Sequence, residues 1–124
     1  MPVRLLTSSR TMHKRLTAAL ARTYEEEVYG VQADEIGHPN GAPPLVNGHQ
    51  PDVAGYRNRQ LVRIGEAETA DSLNDDHTRQ QWQAFSRSPY WFDVIVPESC
   101  LFTARMRAAA WSVHVSRFYH LPGC

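Results

Sequence analysis

The chain has 124 residues, 42% of them hydrophobic, and its thirteen basic side chains balance thirteen acidic ones. That size gives one domain, residues 1–124 with a core over about 10–119, around a single modest hydrophobic core. No apolar run approaches the ~20 residues of a membrane span, and zero net charge argues against strong attraction of the whole molecule to a polyanion. MPVRLLTSSR at the N-terminus lacks the apolar stretch of a secretory signal. Cys100 and Cys124 are too few for a disulfide framework. Together these features predict a soluble, cytoplasmic protein with no membrane partner.

The charges are nevertheless segregated. Residues 1–22 carry Arg4, Arg10, Lys14, Arg15 and Arg22 and no acid. Acidic groups follow at Glu25, Glu26, Glu27, Asp34 and Glu35, and again at Glu66, Glu68, Asp71, Asp75 and Asp76. From Leu101 onward Arg105, Arg107 and Arg117 meet no acid, and Lys14 is the only lysine. Acidic clusters flanked by basic ones suit a cation-loaded site beside a polyanion, and they equally suit an ordinary mixed surface.

Residues 8–28 have the spacing of an amphipathic helix, with Met12, Leu16, Ala19, Leu20, Tyr24 and Val28 on the apolar stripe and Ser8 or Ser9 as cap. Glu25 to Glu27 fall near its end, where the helix dipole disfavours negative charge, so either they form a solvated acidic turn, the reading that ranks first, or a metal or an arginine holds one of them. Residues 30–50 are a long loop rich in glycine, proline and asparagine, with one short strand near Val31–Ile36. Val53–Tyr56 and Leu61–Thr69 read as a hairpin turning at Arg57-Asn58-Arg59-Gln60. Asp75–Arg87 reads as a second helix capped by Ser72 or Asn74, with Trp82 and Phe85 on its apolar side. Tyr90–Val96 is an apolar strand interrupted by Asp93, Pro97 and Glu98 open a third helix to about Ala110, and Trp111–Tyr119 alternates like a half-exposed strand. This order predicts an α/β fold with a central mixed sheet flanked by helices.

One feature resists explanation by packing. Side chains alternate faces along a strand, so Val62, Ile64, Glu66 and Glu68 are expected on one face and Asp52, Ala54 and Tyr56 on one face of the neighbouring strand. Carboxylates following Val and Ile on a buried face are unfavourable unless paired or bound to a cation. Either the hairpin carboxylates pair with Arg57, Arg59 or Arg63, or they hold a divalent metal. No nucleophile elbow and no glycine-rich phosphate loop is present, and His13, His38, His49, His77, His114 and His120 are dispersed without metal-ligand spacing.

Pro51-Asp52, the Glu66-Ala67-Glu68 repeat on the next strand, and the run Gln81-Trp82-Gln83-Ala84-Phe85 resemble the PD-(D/E)XK nuclease superfamily, the last resembling the QxxxY motif of its RecB-like members with Phe for Tyr. The element order resembles the α-β-β-β-α-β core of that family over roughly residues 10–96. The resemblance implies a restriction-endonuclease-like domain that hydrolyses DNA with Mg²⁺ or Mn²⁺. It implies Asp52, Glu66 and the Ala67 carbonyl as metal ligands, with Glu26 or Glu27 as a further acidic ligand. It further implies Asp52, Glu66, Glu68 and Gln81 as the catalytic set, and a homodimer or larger complex. Arginines such as Arg15, Arg57, Arg59 and Arg105 would hold the DNA backbone. The departure is Glu68, which stands where the family places lysine. A glutamate there would bind a second cation or act as general base. The alternative is a catalytically inactive module on the same fold that binds DNA or a protein partner.

Overall fold

The computed structural model describes residues 8–121; Arg4, the rest of the N-terminal segment and Cys124 lie outside them. Among these residues no helix is long and apolar enough to cross a membrane. Helix α1 runs Ser9–Glu26, capped by the Ser8 hydroxyl, which accepts from the Thr11 amide. Its stripe Met12, Leu16, Leu20 and Tyr24 is buried as the spacing requires. It ends earlier than expected because Val28 takes the left-handed conformation (φ 68°). The Tyr29 and Val28 amides donate to the Tyr24 and Glu25 carbonyls, and the Tyr24 and Tyr29 rings pack 5.7 Å apart, which together form a Schellman stop.

Strands β1 (Gly30–Ala33), β2 (Val53–Arg57), β3 (Gln60–Ala67), β4 (Trp91–Pro97) and β5 (Arg117–Leu121) form one sheet in that order. The first two pairings are antiparallel and the last two parallel. Helix α2 (Asp76–Ser86) joins β3 to β4 and helix α3 (Leu101–Ala110) joins β4 to β5, as parallel neighbours demand. Helix α1 packs on one face with Val53, Ala67 and Ile95, while α2 and α3 cover the other over Ile64, Phe92, Val94 and Val96. The outward groups of edge strand β1 are covered: the Ala33 amide donates to the Gly41 carbonyl, and the Asn40 side chain donates to the Val31 carbonyl.

The hairpin turns on Asn58 and Arg59, both at positive φ (51° and 63°), the geometry whose twist matches that of paired strands. A register shift at Gly55/Tyr56 leaves Val62 as an extra residue on β3. Val62 therefore packs on the α1 side while Leu61 and Ile64 pack on the α2/α3 side, which corrects the expectation that Val62 and Ile64 share a face. Three further expectations are corrected. Asp75 rather than Ser72 or Asn74 caps α2, accepting from the His77 amide. Pro97-Glu98 is followed by a 3-10 turn, Glu98–Cys100, before α3 begins. The strand expected over Trp111–Tyr119 starts only at Arg117. Ser112 in the left-handed region ends α3, and Val113 and Val115 alternate because they pack as loop residues against the α2/α3 core.

Asp93, which breaks the apolar run of β4, is fully buried and accepts from Arg63 Nη1 at 2.7 and 2.8 Å and from the Tyr24 hydroxyl at 2.6 Å. Cys100 is buried and free.

Candidate active site

The antiparallel register decides where the acidic residues meet. Asp52 directly precedes β2, and its amide donates to the Gly65 carbonyl and to Glu66 Oε1 (3.2 Å). Asp52 Oδ2 in turn accepts from the Ala67 amide at 2.8 Å. The two acidic residues expected to act together are therefore latched by the strand ladder itself. Glu68, just past β3, turns to the α2 side, where its carboxylate accepts from Ser72 Oγ (2.8 Å) and from Trp82 Nε1 (2.7 Å). Asp52, Glu66 and Glu68 are only 8%, 4% and 3% exposed, so water screens none of them well.

Helix α1 supplies the missing positive partner. His13 Nε2 lies 3.2 Å from Asp52 Oδ2. The hydrogen bond to Asp52, and after it the charges of Asp52, Glu68 and Asp34, hold the His13 pKa above its usual value against the opposing effect of burial. The pKa values of two of the acids rise as well, which favours their neutral forms. Burial, then the charges of Asp52 and Glu68, push the Glu66 carboxyl well above the usual carboxylate range. Burial also pushes Glu68 to about 7, although its bonds from Trp82 and Ser72 favour ionisation.

The arginine alternative fails on geometry. Arg63 is spent on Asp93, Arg57 donates to the Glu27 carbonyl and lies over the Tyr29 ring, and Arg117 holds Glu27. Arg59 sits in the hairpin turn. Among the described residues no lysine or arginine is ion-paired to Asp52, Glu66 or Glu68, and His13 is the one basic partner there.

Other expected site residues fall elsewhere. Glu26 and Glu27 end α1 some thirteen residues beyond His13, about 20 Å along the axis at ~1.5 Å per residue. The cation that holds Glu27 is Arg117, whose Nη1 donates to both oxygens at 2.9 and 2.7 Å. Arg57 and Arg59 lie at the far end of the hairpin, about 17 Å from Asp52 at ~3.4 Å per residue along β2. Arg15 and Arg105 are exposed on α1 and α3, Arg105 lying over the Phe118 ring. Gln81 is half-buried on α2, and it is its neighbour Trp82 that reaches Glu68. His49 packs against α2, its ring 5.9 Å from that of His77 and 6.2 Å from Phe85.

Two functional side chains were not singled out from the sequence for this site. His13 sits beside Met12 at the border of the apolar stripe of α1, where a titratable residue meets the sheet; that position was the available signal. Trp82 is recognisable as core from its spacing, but its indole donor finds Glu68 only through the packing of α2 on β3.

A divalent ion here would be held by Asp52, Glu66 and the Ala67 carbonyl. Among the described residues no three His, Cys, Asp or Glu side chains form a ready-made cage. The donor set suits Mg²⁺, which takes one or two carboxylates and keeps several waters. Glu66, latched to Asp52 and raised in proton affinity by burial, is a group from which a bound dication would displace a proton. Comparisons with protein-family models, with curated proteins and with solved structures found no match to this chain.

Proposed function

We propose that this protein is a metal-dependent phosphodiesterase of the PD-(D/E)XK type acting on DNA. The observation that carries the reading is the buried Asp52, Glu66 and Glu68 set, the first two joined where β2 meets β3 and all three left without lysine or arginine partners. The nearby arginines, which could have neutralised these acids, are committed elsewhere. The order α1, β1, β2, β3, α2, β4 also follows the family's core arrangement.

A divalent ion held by Asp52, Glu66 and the Ala67 carbonyl would neutralise phosphate charge and lower the pKa of water. Glu68, with a pKa about 7, is suited to take a proton near neutrality. Trp82 and Ser72 fix its orientation, and His13 fixes Asp52. The absence of the family's lysine then reflects a base placed at the same strand position.

A specific observation favours a second reading, an inactive nuclease-fold module that binds DNA or a protein partner. Both Glu68 oxygens are already engaged by protein donors. Incubation of plasmid and single-stranded DNA with the protein and Mg²⁺ or Mn²⁺ separates the two. The enzymatic reading expects cleavage that EDTA, Asp52→Asn and Glu66→Gln each abolish. Intact DNA with both metals, or cleavage that survives both substitutions, would refute it.

A further inference from the structure

A cavity lies away from the carboxylates, between the C-terminal ends of α2 and α3, with a volume of about 520 Å³. Its walls include Arg79, Gln83 and Arg87, which recur every four residues on one side of α2, and Trp111, Ser112 and His114 from the segment after α3. No carboxylate lines it. Among the described residues Arg87 has no ion-pair partner, and Arg79 pairs only with Asp76, on its own helix and in solvent. Such i,i+3 surface pairs are weak and exchange readily.

Charge arithmetic bears on what this cavity accepts. Each helix C-terminus contributes about half a negative charge. Arg79 and Arg87 supply two full positive charges, which outweigh two such ends and leave the cavity net positive. Guanidinium groups bind phosphate oxygens through paired N–H donors. Trp111 offers a π surface beside them, and base stacking on such rings is sequence-tolerant and favourable. The volume falls within the ~300–1,000 Å³ of small-ligand sites.

We propose that this cavity binds a nucleoside monophosphate, with Arg79 and Arg87 on the phosphate and Trp111 against the base. The Trp111 ring stands edge-on to Trp82 at 5.3 Å, and Trp82 Nε1 donates to Glu68. An occupant of the cavity therefore meets the Trp111 ring, which packs on the indole that orients one of the three buried carboxylates. The proposal rests on the cavity alone and stands or falls separately from the phosphodiesterase reading.

The test is calorimetric titration of the full chain with adenosine 5′-monophosphate, adenosine and inorganic phosphate, followed in parallel by tryptophan fluorescence. Saturable binding of the nucleotide is expected, weakened at least ~10-fold by Arg87→Gln and by loss of the phosphate in adenosine. Asp52→Asn should bind it as wild type does. Trp111→Phe should retain a stacking ring and much of the affinity while removing most of the fluorescence change. Absence of saturation at millimolar nucleotide would overturn the proposal. So would unchanged affinity in Arg87→Gln and Arg79→Gln, with or without a lower melting temperature, since the arginines would then serve only the helix ends.

Discussion

Replacing Glu68 by glutamine should make the metal-free protein more stable at alkaline pH and leave it nearly unchanged at pH 5. The folded-state pKa of Glu68 is about 7, raised from the ordinary 4.5 by burial. Between those values the folded state holds a proton that the unfolded chain has released, so stability falls as pH rises from about 4.5 through 7. A shift of that size corresponds to at most ~3 kcal/mol, at ~1.4 kcal/mol per unit. Glutamine keeps one oxygen to accept from Trp82 or Ser72 and forfeits the other bond, a loss of ~1 kcal/mol. The net gain at pH 8 is therefore ~2 kcal/mol, or about 6–10 °C in melting temperature for a domain of this size. His13 acts in the same direction: its raised pKa gives a contribution complete below 6.5 and lost as pH climbs through the folded value. It is present in both proteins and largely cancels in their difference. Thermal melts in EDTA from pH 5 to 8.5 measure the effect. A wild-type melting temperature that is flat or rising from pH 5 to 8, or a variant that melts lower at pH 8, would refute the assignment of Glu68 as a buried, reluctantly ionised group.

Other sites give independent checks. A Cβ on Gly65 would lie 2.9 Å from the Tyr24 hydroxyl and collide with Leu20, so Gly65→Ala should destabilise by ~1–3 kcal/mol in urea titrations and displace Glu66 beside it. Val28→Gly should stabilise by ~1 kcal/mol, because an exposed β-branched residue there holds a left-handed conformation that glycine adopts freely. Asp93→Ala would leave the buried Arg63 guanidinium without its carboxylate, a loss of ~3–5 kcal/mol visible in the same titrations.

The sequence made the central part of this architecture legible for a physical reason. Period-two alternation, a polar turn at Asn58-Arg59 and the conspicuous Glu66 and Glu68 are local signals, and they identified the hairpin and its acids. The α1 stripe and the buried β4 run were equally local. What escaped was set by packing between distant segments. His13 meets Asp52 across thirty-nine residues, and Trp82 meets Glu68 only because α2 lies over β3. The bulge at Val62 reverses facing by one residue, which alternation alone does not reveal. The Trp111–Ser116 segment alternates like a strand because its valines enter a core from an irregular loop. Arg57 and Arg59 lie close to the carboxylates in sequence, yet an extended strand carries them to the opposite end of the sheet.

The central claim is that Asp52 and Glu66 form a divalent-cation site. Calorimetry with Mg²⁺ and Mn²⁺ at pH 7.5, on wild type beside Asp52→Asn and Glu66→Gln, tests it most directly. The account predicts saturable binding to wild type, tighter as pH rises because the ion displaces a proton from the buried Glu66 carboxyl, and none to either folded variant. Wild type that binds neither ion, or variants that bind as wild type does, would contradict it.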